Sequence, residues 1–434
     1  MSRKISSALL KEMGIKFVEA KFQDNVGELK SRTLPVWRYD AIKEGYGFDG
    51  SSCGFVGVEN SDMVAKPIES SFRIINSNGY KTAFFLCDIE KDGKPFPYYG
   101  RNILKNLLEK IPYKVYLGPE IEFYLTQNYL PLDEGNYMIS NPTDKGEKFK
   151  KDFMFLLEEL NSDFRVQVSH HEVGPSQHEF ELKYNEPVEM IDTVIAYKYF
   201  LRNFAKERGY DVTFMPKPFE GKAGSGMHFH VSFWEDDTSL FFGNRDEISE
   251  EAKHAIGGVL EYSPEIALVT NGTINSYKRL VVGHEAPVYC VYGYSNRSAL
   301  VRIPRYKPLT PSITRIEVRS VDGLNNHYLA CAALIKAMLI GMKKKIEPVL
   351  FEGCTYSLSE EECKKLGIKI MPRSLEEAIE KAKEGTILKE LLGENFYRLI
   401  EIKERELEEF KNSGGALEDK SKITEWEIKK YFFM

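Results

Sequence analysis

Val115-Tyr-Leu-Gly-Pro-Glu-Ile-Glu-Phe-Tyr124 reads as a β-strand with two carboxylates, Glu120 and Glu122, on one face. Side chains alternate along a strand, so Ile121 and Phe123 point to the opposite face. Two like charges on one face call for bulk solvent or for a cation. His170-His-Glu-Val-Gly-Pro-Ser-Gln-His-Glu179 carries a Gly174-Pro175 turn between two strand-like runs, and a hairpin there would bring Glu172 near Glu179. In Gly224-Ser-Gly-Met-His-Phe-His-Val-Ser232 the alternation sets His228 and His230 on a common face, and five of the eight histidines fall between residues 170 and 230. Arg315-Ile-Glu-Val-Arg319 places two guanidiniums around Glu317, with Ile316 and Val318 opposite.

A solvated face, a polar hairpin or a structural ion-pair ladder would account for any one of these runs. Together they describe a cage. Glu120, Glu122, Glu172, Glu179, Glu317 and His228 would suit a hard divalent ion, Mg²⁺ or Mn²⁺, better than a thiolate-bound zinc. Arg279, Arg297 and Arg302 add planar forks that bind paired oxygens of phosphate or carboxylate. Metals beside arginines indicate phosphoryl transfer, where positioning and charge neutralisation do most of the catalysis.

The composition limits the alternatives. The 434 residues carry 59 basic and 65 acidic side chains, a net charge of −6. The 27 Phe and 24 Tyr are too many apolar groups for a disordered chain. A pI near 5.9 offers no global attraction for a phosphate backbone, so no nucleic acid is expected. Cys53, Cys87, Cys290, Cys331, Cys354 and Cys363 form no CxxC pair and read as free thiols of a reduced cytoplasm. The apolar run after the basic N-terminus stops at Lys11, and Tyr328–Met342 is broken by Lys336, so neither a signal peptide nor a membrane span is expected.

Residues 1–100 mix short strands such as Phe17–Phe22 and Thr82–Asp88 with Gly-rich turns, and a helix is expected from Asn102. This predicts a first α+β domain over 1–100 and a second domain over 101–434. In the latter, strands at Lys114–Leu125, Arg165–Val173, His178–Tyr184, Gly226–Phe233 and Thr314–Ser320 alternate with helices at Glu147–Leu160 and Pro187–Arg208. Ser374–Lys411 predicts one or more amphipathic helices. Two phosphate-loop look-alikes lack their context. Gly45-Tyr-Gly-Phe-Asp-Gly50 has no strand before it and no helix after it, and Gly221–Gly226 is followed by Met227 and His228 where Lys and Ser/Thr are required.

Further motifs run the length of the chain: Phe48-Asp-Gly-Ser-Ser52, Asn60-Ser-Asp-Met63, Met215-Pro-Lys-Pro218, Asn275-Ser-Tyr-Lys-Arg-Leu280, Glu285-Ala-Pro287, Asn296-Arg-Ser-Ala299 and Arg302-Ile-Pro304. In this order, with the runs above, they resemble the glutamine synthetase family, in its prokaryotic type I form. The resemblance implies an N-terminal β-grasp domain followed by a catalytic α/β domain with a curved antiparallel sheet. It implies a homododecamer of two six-membered rings, with active sites between neighbouring subunits and the apolar Tyr431–Met434 end inserted into the facing ring. It further implies an ATP-dependent ligase that makes L-glutamine from L-glutamate and ammonium through γ-glutamyl phosphate.

The resemblance also implies roles. Glu122, Glu172 and Glu179 match one metal site, and Glu120, His228 and Glu317 a second. His230 and Ser232 match nucleotide positions, and Arg297, Arg302 and Arg315 phosphate contacts. Gly224, Arg279 and Arg319 match the amino-acid pocket. Asp49, reaching from a neighbouring subunit, and Asp62 match the ammonium site, and Glu285 matches a flap that excludes water. Ala223 departs from the Asn usual in the family, as in relatives that join glutamate to larger amines such as polyamines or ethanolamine. Asp49 and Asp62 favour ammonium. A catalytically weak structural or regulatory relative is the third alternative, against which the complete ligand set speaks.

Overall fold

The computed structural model describes residues 4–161, 164–283 and 285–434. Seven strands build an N-terminal sheet: β1 (Phe17–Gln23), β2 (Leu29–Pro35), β3 (Tyr46–Asp49), β4 (Asp62–Pro67), β5 (Arg73–Ser77), β6 (Tyr80–Lys91) and a two-residue strand at Lys94–Pro95 that pairs with β6. Their order is β2-β1-β6-β4-β3, with β5 beside β6. β1 and β6 run parallel and the other pairs antiparallel. Val18, Ala20 and Phe22 of β1 enter a separate small core with Tyr39 and Phe85, whose rings stack at 5.0 Å. This is the β-grasp arrangement expected. The Gly45–Gly50 run contains β3 and opens no helix.

A helix, α1 (Gly100–Leu108), leads to the second sheet. Its main strands are β7 (Lys114–Gln127), β8 (Val166–His171), β9 (Gln177–Leu182), β10 (Asp211–Thr213), β11 (Met227–Glu235), β12 (Tyr292–Tyr294), β13 (Val301–Ile303) and β14 (Ile316–Val318), with two-residue strands at Leu130–Pro131 and Thr238–Ser239 beside β7 and β11. The curled sheet has the order β8-β9-β7-β11-β14-β13-β12, with β10 on the end of β7. Only β12 and β13 run parallel among these pairs. Register decides what meets what. Glu179 faces Glu122, Glu181 and His228 both face Glu120, and His230 faces Gly118 on one side and Glu317 on the other. Arg302 then faces Glu317.

The opposite side of the sheet is apolar. Ile121, Phe123, Phe180, Phe229 and Val231 are buried in the main core, beneath α2 (Glu147–Leu160) and α3 (Pro187–Lys206). The Phe123 and Phe180 rings stack, and Phe153 of α2 and Tyr197 of α3 meet Phe180 edge-on. Helices α4 (Glu250–Thr270) and α5 (His327–Lys344) close together behind them because Gly258 has no side chain. A Cβ there would lie 2.0 Å from the Ala337 carbonyl oxygen.

Several elements are shorter than the sequence pattern suggests. β8 ends at His171 rather than Val173, because Glu172 N–H already bonds Gln177 O to close the hairpin. The third paired strand spans only Ile316–Val318, and of the flanking arginines Arg315 reaches His230 while Arg319 reaches Glu317. The Ser374–Lys411 stretch forms α6 (Leu375–Glu384), a short helix at Ile387–Leu392 and α7 (Asn395–Asn412), interrupted at Gly385 and Gly393. The last helix is α8 (Glu425–Tyr431). The apolar end, expected to seek a facing ring, buries Tyr431 and Phe432 in the core of its own chain. Among the described residues no helix is long and apolar enough to cross a membrane.

Candidate active site

The register rows gather the expected ligands over one face of the second sheet. His228 Nδ1 lies 3.1 Å from Glu120 and 3.7 Å from Glu317, and its Nε2 lies 3.6 Å from Glu122. Glu172, just past the end of β8, pairs with His170 at 3.0 Å, and His170 approaches Glu179 at 3.9 Å. Oxygens or ring nitrogens of Glu120, Glu179 and His228 fall within 4.8 Å of one another, as do those of His170, Glu172 and Glu179. All six expected ligands therefore converge on one patch.

The charge balance of that patch is uneven. Burial, reinforced by Glu120, Glu122 and Glu172, pushes the Glu179 carboxyl well above the usual carboxylate range, and burial raises Glu122 as well. Glu120 goes the other way: against its burial, His230 and His228 hold its carboxyl well below the usual range. Among the described residues no Lys or Arg forms an ion pair with Glu122, Glu172 or Glu179. The donors that reach Glu122 are the Gly226 N–H at 2.9 Å and Gln177 at 3.2 Å. Clustered carboxylate oxygens without a cationic partner fit a hard divalent ion, which would supply the missing positive charge.

Glu317 is different: of the two arginines that flank it in sequence Arg319 pairs with it, as an ion-pair ladder would have it, but Arg302 takes the place of Arg315. One of its oxygens is held by Arg302 and the other by Arg319. Burial alone would raise its carboxyl, but Arg319 and His230 bring it down to about 2. The carboxylate still lies 3.7 Å from His228 Nδ1. His230 has both ring nitrogens engaged. Arg315 Nε donates to Nδ1 at 3.0 Å, so Nε2 carries the proton and donates to Glu120 at 2.7 Å.

Two cavities meet here. The first, of about 180 Å³, is lined by the carboxylates together with Ala223, Gly224, Arg279, Glu285, Arg297, Arg302 and Arg319. Arg279 packs its stem over Gly224, where a Cβ would come within 2.7 Å, and donates to the Ser320 and Arg319 carbonyls at 2.8 and 2.9 Å. Among the described residues Arg302 Nε and Arg319 Nε are buried and have no hydrogen-bond partner. Glu285 sits at φ +56°, half-exposed, 3.5 Å from Arg319 and 3.9 Å from Arg297. The second cavity, about 220 Å³, shares Glu120 and Glu181 with the first. His230, Ser232 and Arg315 line it, as do Tyr116, Tyr184 and Trp234, whose rings meet edge to face.

Asp49 and Asp62 are not brought to this patch within one chain. They face each other across β3 and β4, are exposed, and line neither cavity. Ser51 and Ser52 donate to the Asp49 carboxylate and hold its carboxyl low. Because the two share a register position, any arrangement that delivers Asp49 to a neighbouring subunit delivers Asp62 with it.

Some participants had no expected role. Glu181 was legible, since alternation from Glu179 puts it on the same face. Gln177, whose amide bridges Glu122, the Gly224 carbonyl and Ser225 Oγ, stood within a quoted motif without a task. Tyr137 and Tyr306 reach the first cavity from loops, where no periodic pattern announces a side chain's direction.

Comparison with known proteins gives a consistent picture. Residues 14–92 match the family description "Glutamine synthetase, beta-Grasp domain" and residues 98–431 match "Glutamine synthetase, catalytic domain". A protein of Thermococcus kodakarensis named glutamine synthetase is 38% identical over 96% of each chain. One of Pyrococcus furiosus is 39% identical over 97% of each, and one of Thermotoga maritima 37% over 98% of each, both with the same name. A solved structure described as a GmaS/ADP complex superposes with a TM-score of 0.84 at 25% identity, over 99% of both chains.

Proposed function

This chain belongs to the glutamine synthetase family of ATP-dependent ligases, which work with a divalent metal, and we propose that it joins L-glutamate and ammonia to give L-glutamine, ADP and phosphate through γ-glutamyl phosphate. One observation carries the reading: among the described residues the carboxylates of Glu122, Glu172 and Glu179 have no Lys or Arg ion-pair partner, and they stand beside buried arginines whose Nε–H groups lack partners. The first group asks for cations and the second for anionic oxygens, and a nucleoside triphosphate with its metals supplies both.

Glu122, Glu172 and Glu179 would hold one ion, and Glu120, His228 and Glu317 another. Divalent ions, Mg²⁺ or Mn²⁺, offset the phosphate charge when bound. The aromatic second cavity, with His230 and Ser232, accepts the nucleotide, and Arg315 at its rim meets the phosphates. Arg297 and Arg302 stabilise charge on the transferred phosphoryl oxygens. Arg279 and Arg319, with the Gly224 backbone, orient glutamate so that its side-chain carboxylate meets the phosphorus in line. The acyl phosphate hydrolyses in water, so the segment bearing Glu285 has to close over it. Asp49 and Asp62 of a neighbouring subunit attract NH₄⁺, and one of them takes its proton before the amine attacks.

The same reading makes residues 1–100 and 101–434 the two domains. It also makes the assembly a type I homododecamer of two hexameric rings in the cytoplasm, without nucleic acid or membrane as partner. Transfer to an organic amine is the second reading, favoured by Ala223. It presents only a methyl group to the first cavity, while its carbonyl accepts from Tyr124 Oη at 2.7 Å. The test is phosphate release from ATP, Mg²⁺ and glutamate with ammonium, a polyamine or ethanolamine as acceptor. Turnover with ammonium is expected, and turnover only with an organic amine would replace the first reading by the second.

A further inference from the structure

We propose that Glu427, seven residues from the end of the sequence, is a positioning residue for the amino-acid substrate and acts through Asn275 and Lys278 on the turn that carries Arg279. The proposal rests on the reading of Arg279 as a glutamate contact. Glu427 is completely buried. One of its oxygens takes the Thr424 N–H and hydroxyl, each at 2.9 Å, and the Lys278 ammonium at 2.5 Å. The other takes the Asn275 amide at 2.9 Å.

These bonds lead to both walls of the first cavity. Asn275 also clasps the backbone of Lys217, accepting from its N–H at 2.7 Å and donating to its carbonyl at 3.0 Å. The adjacent Pro216 carbonyl accepts from the Ser225 N–H at 2.8 Å, which fixes the segment containing Ala223 and Gly224. On the other side, Lys278 immediately precedes Arg279 in the single helical turn Ser276–Arg279. A turn of four residues has little intrinsic stability and is held from outside. Here the C-terminal segment holds it: Lys278 also donates to the Lys422 carbonyl, and Tyr431 Oη accepts from the Ile274 N–H at 3.3 Å. Losing the Glu427 charge would leave Lys278 buried without its anionic partner, and the turn would shift to rehydrate it. Arg279 would shift with it, and small misplacements of an orienting group cost rate and affinity steeply.

The test uses the full-length assembled enzyme. Glu427→Gln is expected to raise the KM for glutamate about tenfold, with the KM for ATP within about twofold of wild type and the oligomer intact. The double variant Lys278→Met/Glu427→Gln, which removes both charges together, is expected to recover most of the glutamate KM. An unchanged glutamate KM in folded Glu427→Gln overturns the proposal. So does a parallel rise of both KM values with loss of assembly, or a double variant no better than the single one. If Glu427→Gln does not fold, Thr424→Val removes the two bonds by which the Thr424 hydroxyl orients Glu427, one to its carboxylate and one from its N–H, and keeps the ion pair. A glutamate KM raised about threefold with an unchanged ATP KM then supports the role, and no change overturns it. Wild-type enzyme without glutamate-dependent phosphate release would defeat the ligase reading itself. A working wild type with an insensitive Glu427→Gln defeats only the positioning role.

Discussion

Neutralising Glu179 should make the metal-free protein more stable while it weakens metal binding. The ligand oxygens of Glu179 and Glu120 lie within 4.8 Å. At an effective dielectric of about 20, two unit charges that far apart repel by roughly 3.5 kcal/mol, before Glu122 and Glu172 add their share. That repulsion and burial raise the Glu179 carboxyl pKa in the folded protein. A raised carboxyl contributes stability that is complete below the unfolded value, about 4.3, and is lost as pH climbs through the folded value. Glutamine does not titrate, so Glu179→Gln escapes the loss. In EDTA-treated protein the variant should therefore melt above wild type at pH 8, with the gap closing towards pH 5. Mn²⁺ at a hundred times its Kd would stabilise wild type by about 2.7 kcal/mol. The variant should need at least about tenfold more ion for the same gain, because a ligand and its charge are gone. Thermal melts with and without Mn²⁺, together with calorimetric titration, measure both quantities. A variant less stable than wild type in EDTA at pH 8, or one with undiminished Mn²⁺ affinity, would refute the reasoning.

Glu317→Gln should do the reverse. It strands Arg302 and Arg319, both buried, and is expected to cost about 3–5 kcal/mol in urea unfolding at pH 7. Because the wild-type carboxyl lies near 2, its contribution is present above the unfolded value and fades only as pH falls through that range; an unchanged urea midpoint would count against it. Asp49→Asn should lower the ammonium-dependent rate about a hundredfold while nucleotide affinity holds, since Asp49 touches neither cavity of its own chain. Mixed oligomers of Asp49→Asn and Glu122→Gln should regain part of the activity, and failure to complement would argue against a site shared between subunits. Ala223→Asn adds one amide to the cavity wall and should lower the glutamate KM by up to about fivefold, the worth of one good hydrogen bond. A faster reaction with organic amines in that variant would contradict it.

Strand periodicity and motif order made much of this protein readable from its residues. Period-two alternation is a property of the backbone, so Glu120 with Glu122, and His228 with His230, had to share faces wherever those strands went. The Gly174-Pro175 turn similarly obliged Glu172 and Glu179 to approach each other. What alternation cannot supply is which strand lies beside which. The order β8-β9-β7-β11-β14-β13 turns four separate pairs into one patch, and register puts Arg302 across from Glu317, so that Glu317 and Tyr306 engage its two terminal nitrogens and leave Nε–H turned to other oxygens. The bonds from Glu427 to Asn275 and Lys278 span about 150 positions and follow no local pattern. They arise because α8 packs against the turn that carries Arg279. Local sequence thus determined which faces carry charge, because side-chain direction follows from backbone geometry. Tertiary structure decided which charges meet, because only long-range packing sets the distances on which electrostatic interactions depend.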